Sequence, residues 1–198
     1  SIAQVHFAKI KSSNTEIDVA VKVLRPEIEK IINQEMERLE WLTTFMENFT
    51  EFQRLRPNSI IKKAKEVIKF ELDLRYEAAA ASELSENTNM DESFYVPTVY
   101  WDKVTQKILT MEKIIGVPAD KIDELNEKKV NKKQAAENLI INFLRQSIRD
   151  GYFHADLHQG NLFLNPKGKL LAVDFGIMGR LDKKNRSYLA EIIYGFIK

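Results

Sequence analysis

Hydrophobic and polar positions change period several times along the chain, and each change marks an element. Residues 2–10 read as a strand and residues 11–14 as a hairpin turn. Ile17, Val19, Val21 and Val23 then alternate with Asp18, Ala20, Lys22 and Leu24. That period of two predicts a second strand, with Lys22 off the valine face and beside small Ala20. Pro26 suits the first turn of a helix, and Ile28, Ile32, Leu39, Leu42, Met46 and Phe49 recur at helical spacing. A second long helix is predicted from Pro57-Asn58-Ser59. Its stripe Ile60, Ala64, Val67, Leu74, Ala78 and Ala81 fades in the polar run 85–92. Short strands are predicted at 96–101 and 108–115, and a third helix over about 132–150 with Gly151 as its cap. Residues 162–164 and 170–173 flank the turn Asn165-Pro166-Lys167-Gly168 as a hairpin, and a final helix begins near Lys183.

Strands, helices, strands, then a mostly helical part with an embedded hairpin make an α+β protein, with a small sheet lobe and a larger helical lobe. Residues 1–115 are expected to form the N-terminal lobe with a helical insertion, and 116–198 part of a C-terminal lobe, within one domain.

Composition narrows the classes. The 30 basic and 29 acidic residues leave a net charge of +1, so no global field argues for nucleic acid. With no cysteine there are no disulfides or Cys-ligated metals, and a reducing compartment is the default. No apolar run approaches the roughly 20 residues of a membrane span. The chain opens on Ser1 directly in a strand pattern, which reads as an excised piece of a longer protein; a membrane anchor outside it stays open. All seven glycines lie at or after Gly116, so any phosphate-cradling loop before that is built without glycine.

The chemistry concentrates in residues 154–161, HADLHQGN, and in Asp174-Phe175-Gly176. Phosphoryl transfer from a metal–nucleotide complex needs one carboxylate beside the attacking hydroxyl, while an amide oxygen and a second carboxylate hold Mg²⁺. Asp156, Asn161 and Asp174 supply these in the order of the protein-kinase motifs. The predicted hairpin brings Asn161 and Asp174 together. The plainer reading is that Asp and Asn cap turns, as they often do. Lys22 is the candidate phosphate lysine, and the helix from about Ser59 offers Glu71, Asp73 and Glu77 to orient it. Asp73 and Glu77, four apart, would share a face, with Glu71 pointing elsewhere. The alanine run 78–81 implies close packing that encloses Glu77.

His154 and Asp156 also form an H-x-D pair that, with His158 or His6, would suggest an iron triad. No histidine follows His158, so the better reading makes His154 a packed residue shaping the loop and gives His158 no role.

Four segments carry a resemblance. Ser1-Ile2-Ala3-Gln4-Val5-His6 looks like the tail of an alanine-rich loop standing where protein kinases have a glycine-rich one. Val19-Ala20-Val21-Lys22-Val23 with Arg25-Pro26 looks like a lysine strand. Glu71-Leu72-Asp73 matches an E-x-D motif with Glu77 at the lysine-pairing position, and HADLHQGN with Asp174-Phe175-Gly176 matches the catalytic loop and metal motif. Together they resemble the UbiB-type atypical kinases, also called aarF-domain or ADCK kinases.

The resemblance implies a bilobal protein-kinase-like fold, truncated N-terminally, with extra helices between the lysine strand and the glutamate helix. It implies ATP or ADP with Mg²⁺, nucleotide binding by Lys22, Ser1, Ala20, Met111, Glu112 and Ile114, metal binding by Asn161 and Asp174, and catalytic roles for Asp156, Lys22 and Glu77. It further implies ubiquinone biosynthesis, with a lipid or quinone precursor, the membrane surface and other ubiquinone-synthesis proteins as partners. The full-length protein would then sit at the cytoplasmic side of an inner membrane. The family's upstream K-x-G-Q segment is absent, and no A-P-E follows Asp174-Phe175-Gly176, which speaks against a peptide substrate. Two alternatives stand beside this reading: a nucleotide-gated scaffold with little turnover, and an aminoglycoside- or choline-kinase-like enzyme. The latter leaves residues 1–6 and Glu71-Leu72-Asp73 unexplained.

Overall fold

The two alternating N-terminal segments pair with each other. In this computed structural model, which describes residues 2–12, 15–49 and 54–198, β1 (Ala3–Ser12) and β2 (Thr15–Leu24) run antiparallel with Lys22 opposite Val5. Part of the predicted turn, Ser13-Asn14, lies outside the described residues. Helix α1 (Ile28–Met46) follows, then α2 (Pro57–Glu71), opened by its proline as predicted. The two helices are clasped by Thr43, which donates to Asn58 Oδ1 at 2.6 Å, and by Lys65 and Glu40 at 2.6 Å.

The predicted second helix is two helices. It breaks at Leu72, and α3 (Leu74–Asn87) starts afresh with Asp73 as its N-cap. Asp73 is extended (φ −128, ψ 95) and its carboxylate accepts the Arg75 amide at 3.1 Å. A short acidic side chain that satisfies a free helix-end amide competes with helix continuation. The apolar stripe runs through the break because Leu72 and Leu74 are both buried.

The predicted strand at 96–101 does not form. Strand β3 is confined to Phe94–Tyr95, Val99 makes one bridge to Met111, and Trp101–Lys103 closes as a 3₁₀ turn. Pro97, which has no N–H for a ladder, accounts for the interruption. Strand β4 (Ile108–Glu112) adds to β2, giving the order β1-β2-β4. Then come β5 (Val117–Pro118), a short helix α4 (Ile122–Glu127) that the sequence pattern did not reveal, and α5 (Lys132–Leu144). The last of these runs on as a π-helical stretch, Arg145–Asp150, ended by Gly151 at φ 70. A Cβ there would lie 2.6 Å from the Leu181 carbonyl, so the cap admits only glycine.

Strand β6 (Tyr152–His154) leads into the catalytic-motif loop and a 3₁₀ turn, Gln159–Asn161. The predicted hairpin is β7 (Leu162–Leu164) and β8 (Leu170–Ala172), inside a second sheet of order β3-β8-β7-β5. Residues just after Gly176 form β9 (Met178–Arg180), which pairs with β6 and leads directly to α6 (Lys183–Ile197).

The core joins the parts that hold the site. Ala78, Ala81 and Leu84 of α3 are fully buried, as are Leu109 of β4 and Ala172 of β8, and Phe175 is nearly so. Each large apolar side chain buried here contributes about 2 kcal/mol. Buried Asp91 pins the loop after α3 to the π-helical stretch through Arg149 and Arg145. Among the described residues no helix is long and apolar enough to cross a membrane.

Candidate active site

Lys22 comes from the C-terminal part of β2 and meets the first turn of α3. Its ammonium lies 2.8 Å from both carboxylate oxygens of Glu77 and 3.1 Å from Asp174 Oδ1. Burial pulls the Lys22 pKa down, but the two carboxylates outweigh it and leave it raised. Glu77, 7 % exposed, is pushed upward by burial despite Lys22. Burial would raise Asp174 as well, yet Lys22 draws it below its ordinary value.

Asp174 follows β8, and the β7–β8 pairing brings it back beside Asn161, as the sequence spacing predicts; Val173 N donates to Asn161 O at 2.9 Å. Asp174 adopts φ 61, a left-handed conformation that aspartate and asparagine tolerate better than other non-glycine residues. Asn161 donates its Nδ2 to both the carbonyl and Oδ2 of Asp156, each at 3.1 Å. Its Oδ1 accepts nothing among the described residues.

His154 shapes this loop as predicted. Buried to 1 % exposure and 5.6 Å from the Phe175 ring, it accepts the Asp156 amide on Nδ1 at 3.1 Å and sets Nε2 3.4 Å from the Val173 carbonyl. Burial lowers its pKa. Both ring nitrogens are engaged, which removes the ligand an iron triad would need from it.

A cavity of about 370 Å³ collects most of the predicted nucleotide residues: Lys22, Ala20, Met111, Glu112 and Ile114, with Asn161 and Asp174 at its polar end. Ala3, Val5 and Phe7 come to it from one face of β1, and Phe163 and Val173 from the hairpin. An apolar slot ending in a lysine and a carboxamide–carboxylate pair suits a ligand with an apolar body and an anionic end. The Ile114 amide has no partner among the described residues and is free to donate to a ligand in the cavity. Glu112 lines the cavity with its carboxylate already engaged. Its carboxylate accepts from Tyr95 Oη at 2.5 Å and Thr98 N at 3.2 Å, so its side chain is not free for a ligand. Burial and that contact push Tyr95 up to about 12. Ser1 lies outside the described residues.

The helix break revises the acidic trio. Asp73 is committed to Arg75, whose Nη2 lies 2.6 Å away, and borders neither Lys22 nor Asp174. Glu71, expected to point elsewhere, instead lines a cavity of about 320 Å³ shared with Lys22, Glu77 and Asp174.

The ABC1 atypical kinase-like domain model matches residues 1–198. The chain belongs to the ABC1 atypical kinase-like family. It is 38 % identical over 201 residues to "Probable protein kinase UbiB" of Aliivibrio salmonicida, covering 99 % of this chain and 37 % of that protein. It is 38 % identical over 203 residues to the protein of the same name in Pseudomonas paraeruginosa, covering 100 % and 38 %. The chain thus spans little more than a third of the length of these curated relatives. Among solved structures it is similar to Rv3197 of Mycobacterium tuberculosis in complex with erythromycin, with a TM-score of 0.73 and 25 % identity over 93 % of this chain and 45 % of that one.

This ABC1 domain has no group of three His, Asp or Glu among the described residues that would hold a metal by itself. A kinase-like Mg²⁺ site does not need one, because Mg²⁺ keeps waters and takes phosphate oxygens beside one or two protein ligands. Asn161 Oδ1 and the half-exposed Asp174 carboxylate fit that requirement. Sequence reasoning passed over His158, whose Nε2 lies 3.5 Å from Asp156 Oδ2. The spacing H-x-D-x-H was visible, but nothing in it indicated that the ring turns back.

Proposed function

We propose that this ABC1 domain binds ATP or ADP with Mg²⁺ and moves the terminal phosphoryl group to water or to a small-molecule or lipid acceptor. The observation that carries the reading is the convergence of Lys22, Glu77, Asn161 and Asp174 on one purine-sized cavity. Lys22, oriented by Glu77, would contact phosphate oxygens. Asn161 and Asp174 would hold Mg²⁺, which when bound offsets the charge of the phosphates. Asp156 would receive the proton of the attacking hydroxyl or water as its oxygen bonds to phosphorus and the bridging P–O bond to ADP breaks.

The relatives' printed name includes "protein kinase", but the segment after Asp174 favours a non-peptide acceptor. Strand β9 begins at Met178 and α6 at Lys183, leaving no room for a peptide-holding segment. The UbiB name supports a place in ubiquinone synthesis; for the full-length protein we propose a quinone precursor or lipid at the membrane surface and other ubiquinone-synthesis proteins as partners.

The test is Mg²⁺-dependent phosphate release by the intact protein, compared with Asp156→Asn. Release that falls at least about a hundredfold supports the reading. Equal rates in both would overturn it and favour a nucleotide-gated scaffold.

A further inference from the structure

We infer that His158 is a positioning residue that holds the Asp156 carboxylate in its working rotamer. The inference rests on the proposed phosphoryl-transfer reading for its kinetic consequence, though not for its geometry.

The His158 ring is held against Gly160 although its side chain is 57 % exposed. Nδ1 accepts the Gly160 amide at 3.0 Å. The ring lies against Gly160, where a Cβ would come within 2.8 Å of Cε1 and 3.0 Å of Nδ1, so the glycine makes room for it. Its own amide donates to the Asp156 carbonyl at 2.8 Å, tying the two residues through the backbone as well. With Nδ1 accepting, the proton of the neutral ring sits on Nε2, and Nε2 faces Asp156 Oδ2 at 3.5 Å.

Asn161 Nδ2 approaches the same Oδ2 from the other side at 3.1 Å. Asp156 Oδ2 thus accepts one hydrogen bond, from Asn161, and has the His158 Nε2 edge as its neighbour on the other side at 3.5 Å, while Oδ1, which accepts nothing among the described residues, is left for the attacking group. A carboxylate held by Asn161 alone would rotate and offer either oxygen. Such misplacement of a reacting group costs rate rather than binding.

Amide substitutions separate the two ring nitrogens. His158→Asn places an acceptor where Nδ1 stands, preserving the Gly160 contact, and lacks the donor to Asp156. His158→Gln restores a donor near Nε2. In the intact protein, His158→Asn is expected to lower kcat for phosphate release about tenfold with KM for ATP unchanged, and His158→Gln to recover most of that loss. Equal kcat in both variants, or a change confined to KM, would overturn the inference. A second measurement does not depend on turnover. In ¹⁵N-histidine spectra of the intact protein, the signals lost in His158→Asn identify His158, expected as the Nε2–H tautomer with an Nε2 signal that moves in Asp156→Asn. A protonated Nδ1 in the neutral ring, or an Nε2 signal indifferent to Asp156→Asn, would overturn the inference even if the wild-type protein releases no phosphate. That last outcome would by itself count only against the proposed function.

Discussion

Asp174 approaches Lys22 to 3.1 Å although both oxygens of Glu77 already hold that ammonium at 2.8 Å. One cation thus faces two carboxylates, and Glu71 adds a third to the adjoining cavity. An anionic nucleotide meets surplus negative charge there unless a divalent cation accompanies it.

Nucleotide binding is therefore expected to require Mg²⁺. In a thermal-shift assay, ADP with Mg²⁺ should stabilise the protein far more than ADP alone. Asp174→Asn should give the same small shift with and without Mg²⁺. The variant is a clean one because asparagine tolerates the left-handed φ of 61 at this position. A full Mg²⁺-dependent shift in Asp174→Asn would remove Asp174 from the metal site.

Glu77 is buried and half of a partly buried pair, so Glu77→Gln should cost stability as well as lysine orientation. Lys22 keeps Asp174, which moderates the loss to about 2 kcal/mol, or roughly 4–8 °C in Tm for a chain of this size. The pH dependence has a defined sign. The raised Lys22 pKa contributes stability that is fully present below its ordinary 10.5 and is lost as pH rises through the folded value. A wild-type melt that drops between pH 7 and 9.5 by more than the Glu77→Gln melt would contradict this.

His154 predicts the opposite edge. Burial lowers its folded pKa from the ordinary 6.5, so the unfolded chain takes up the proton first and stability falls as pH drops below about 6.5. The loss cannot exceed about 1.4 kcal/mol per pH unit from this one group. His154→Gln should be less stable at pH 7 but lose less between pH 6.5 and 5. Parallel losses in the two proteins would show that another group carries the acid limb.

The site was legible because its residues sit beside regular elements. Alternation placed Lys22 on β2, and the hairpin Leu162–Leu164 with Leu170–Ala172 made the convergence of Asn161 and Asp174 a matter of strand pairing. The helix break at Leu72 was not legible, since the apolar stripe continues through it and Asp73 reads equally well as a helix-surface charge or a cap. That single ambiguity sent Glu71 and Asp73 to each other's places. Pairing of β6 with β9 was hidden for a different reason: three-residue strands carry too little periodicity, and their partnership depends on Phe153 lying over Gly179. That the Glu112 carboxylate is taken by Tyr95, a contact across 17 residues, is something no local pattern encodes.

Asp91 offers a test away from the cavity. Arg149 donates to its two oxygens at 3.0 and 2.8 Å, Arg145 adds a contact at 3.1 Å, and the Asp91 side chain is almost wholly buried. The Arg149 hydrogen bonds hold its carboxyl below the usual range. Its contribution is present above the unfolded value of about 3.8 and is lost as pH falls through the folded one, well below the His154 window. The same π-helical stretch carries Gln146, whose Oε1 accepts the His154 amide at 3.3 Å. Asp91→Asn should therefore cost about 2 kcal/mol, because both arginines lose a charged acceptor. A double-mutant cycle with Arg149→Gln should return a coupling of about 1–3 kcal/mol, measured by urea unfolding at pH 7. Strict additivity of the two substitutions would mean that the pair is not what fastens the end of α3 beneath the catalytic loop.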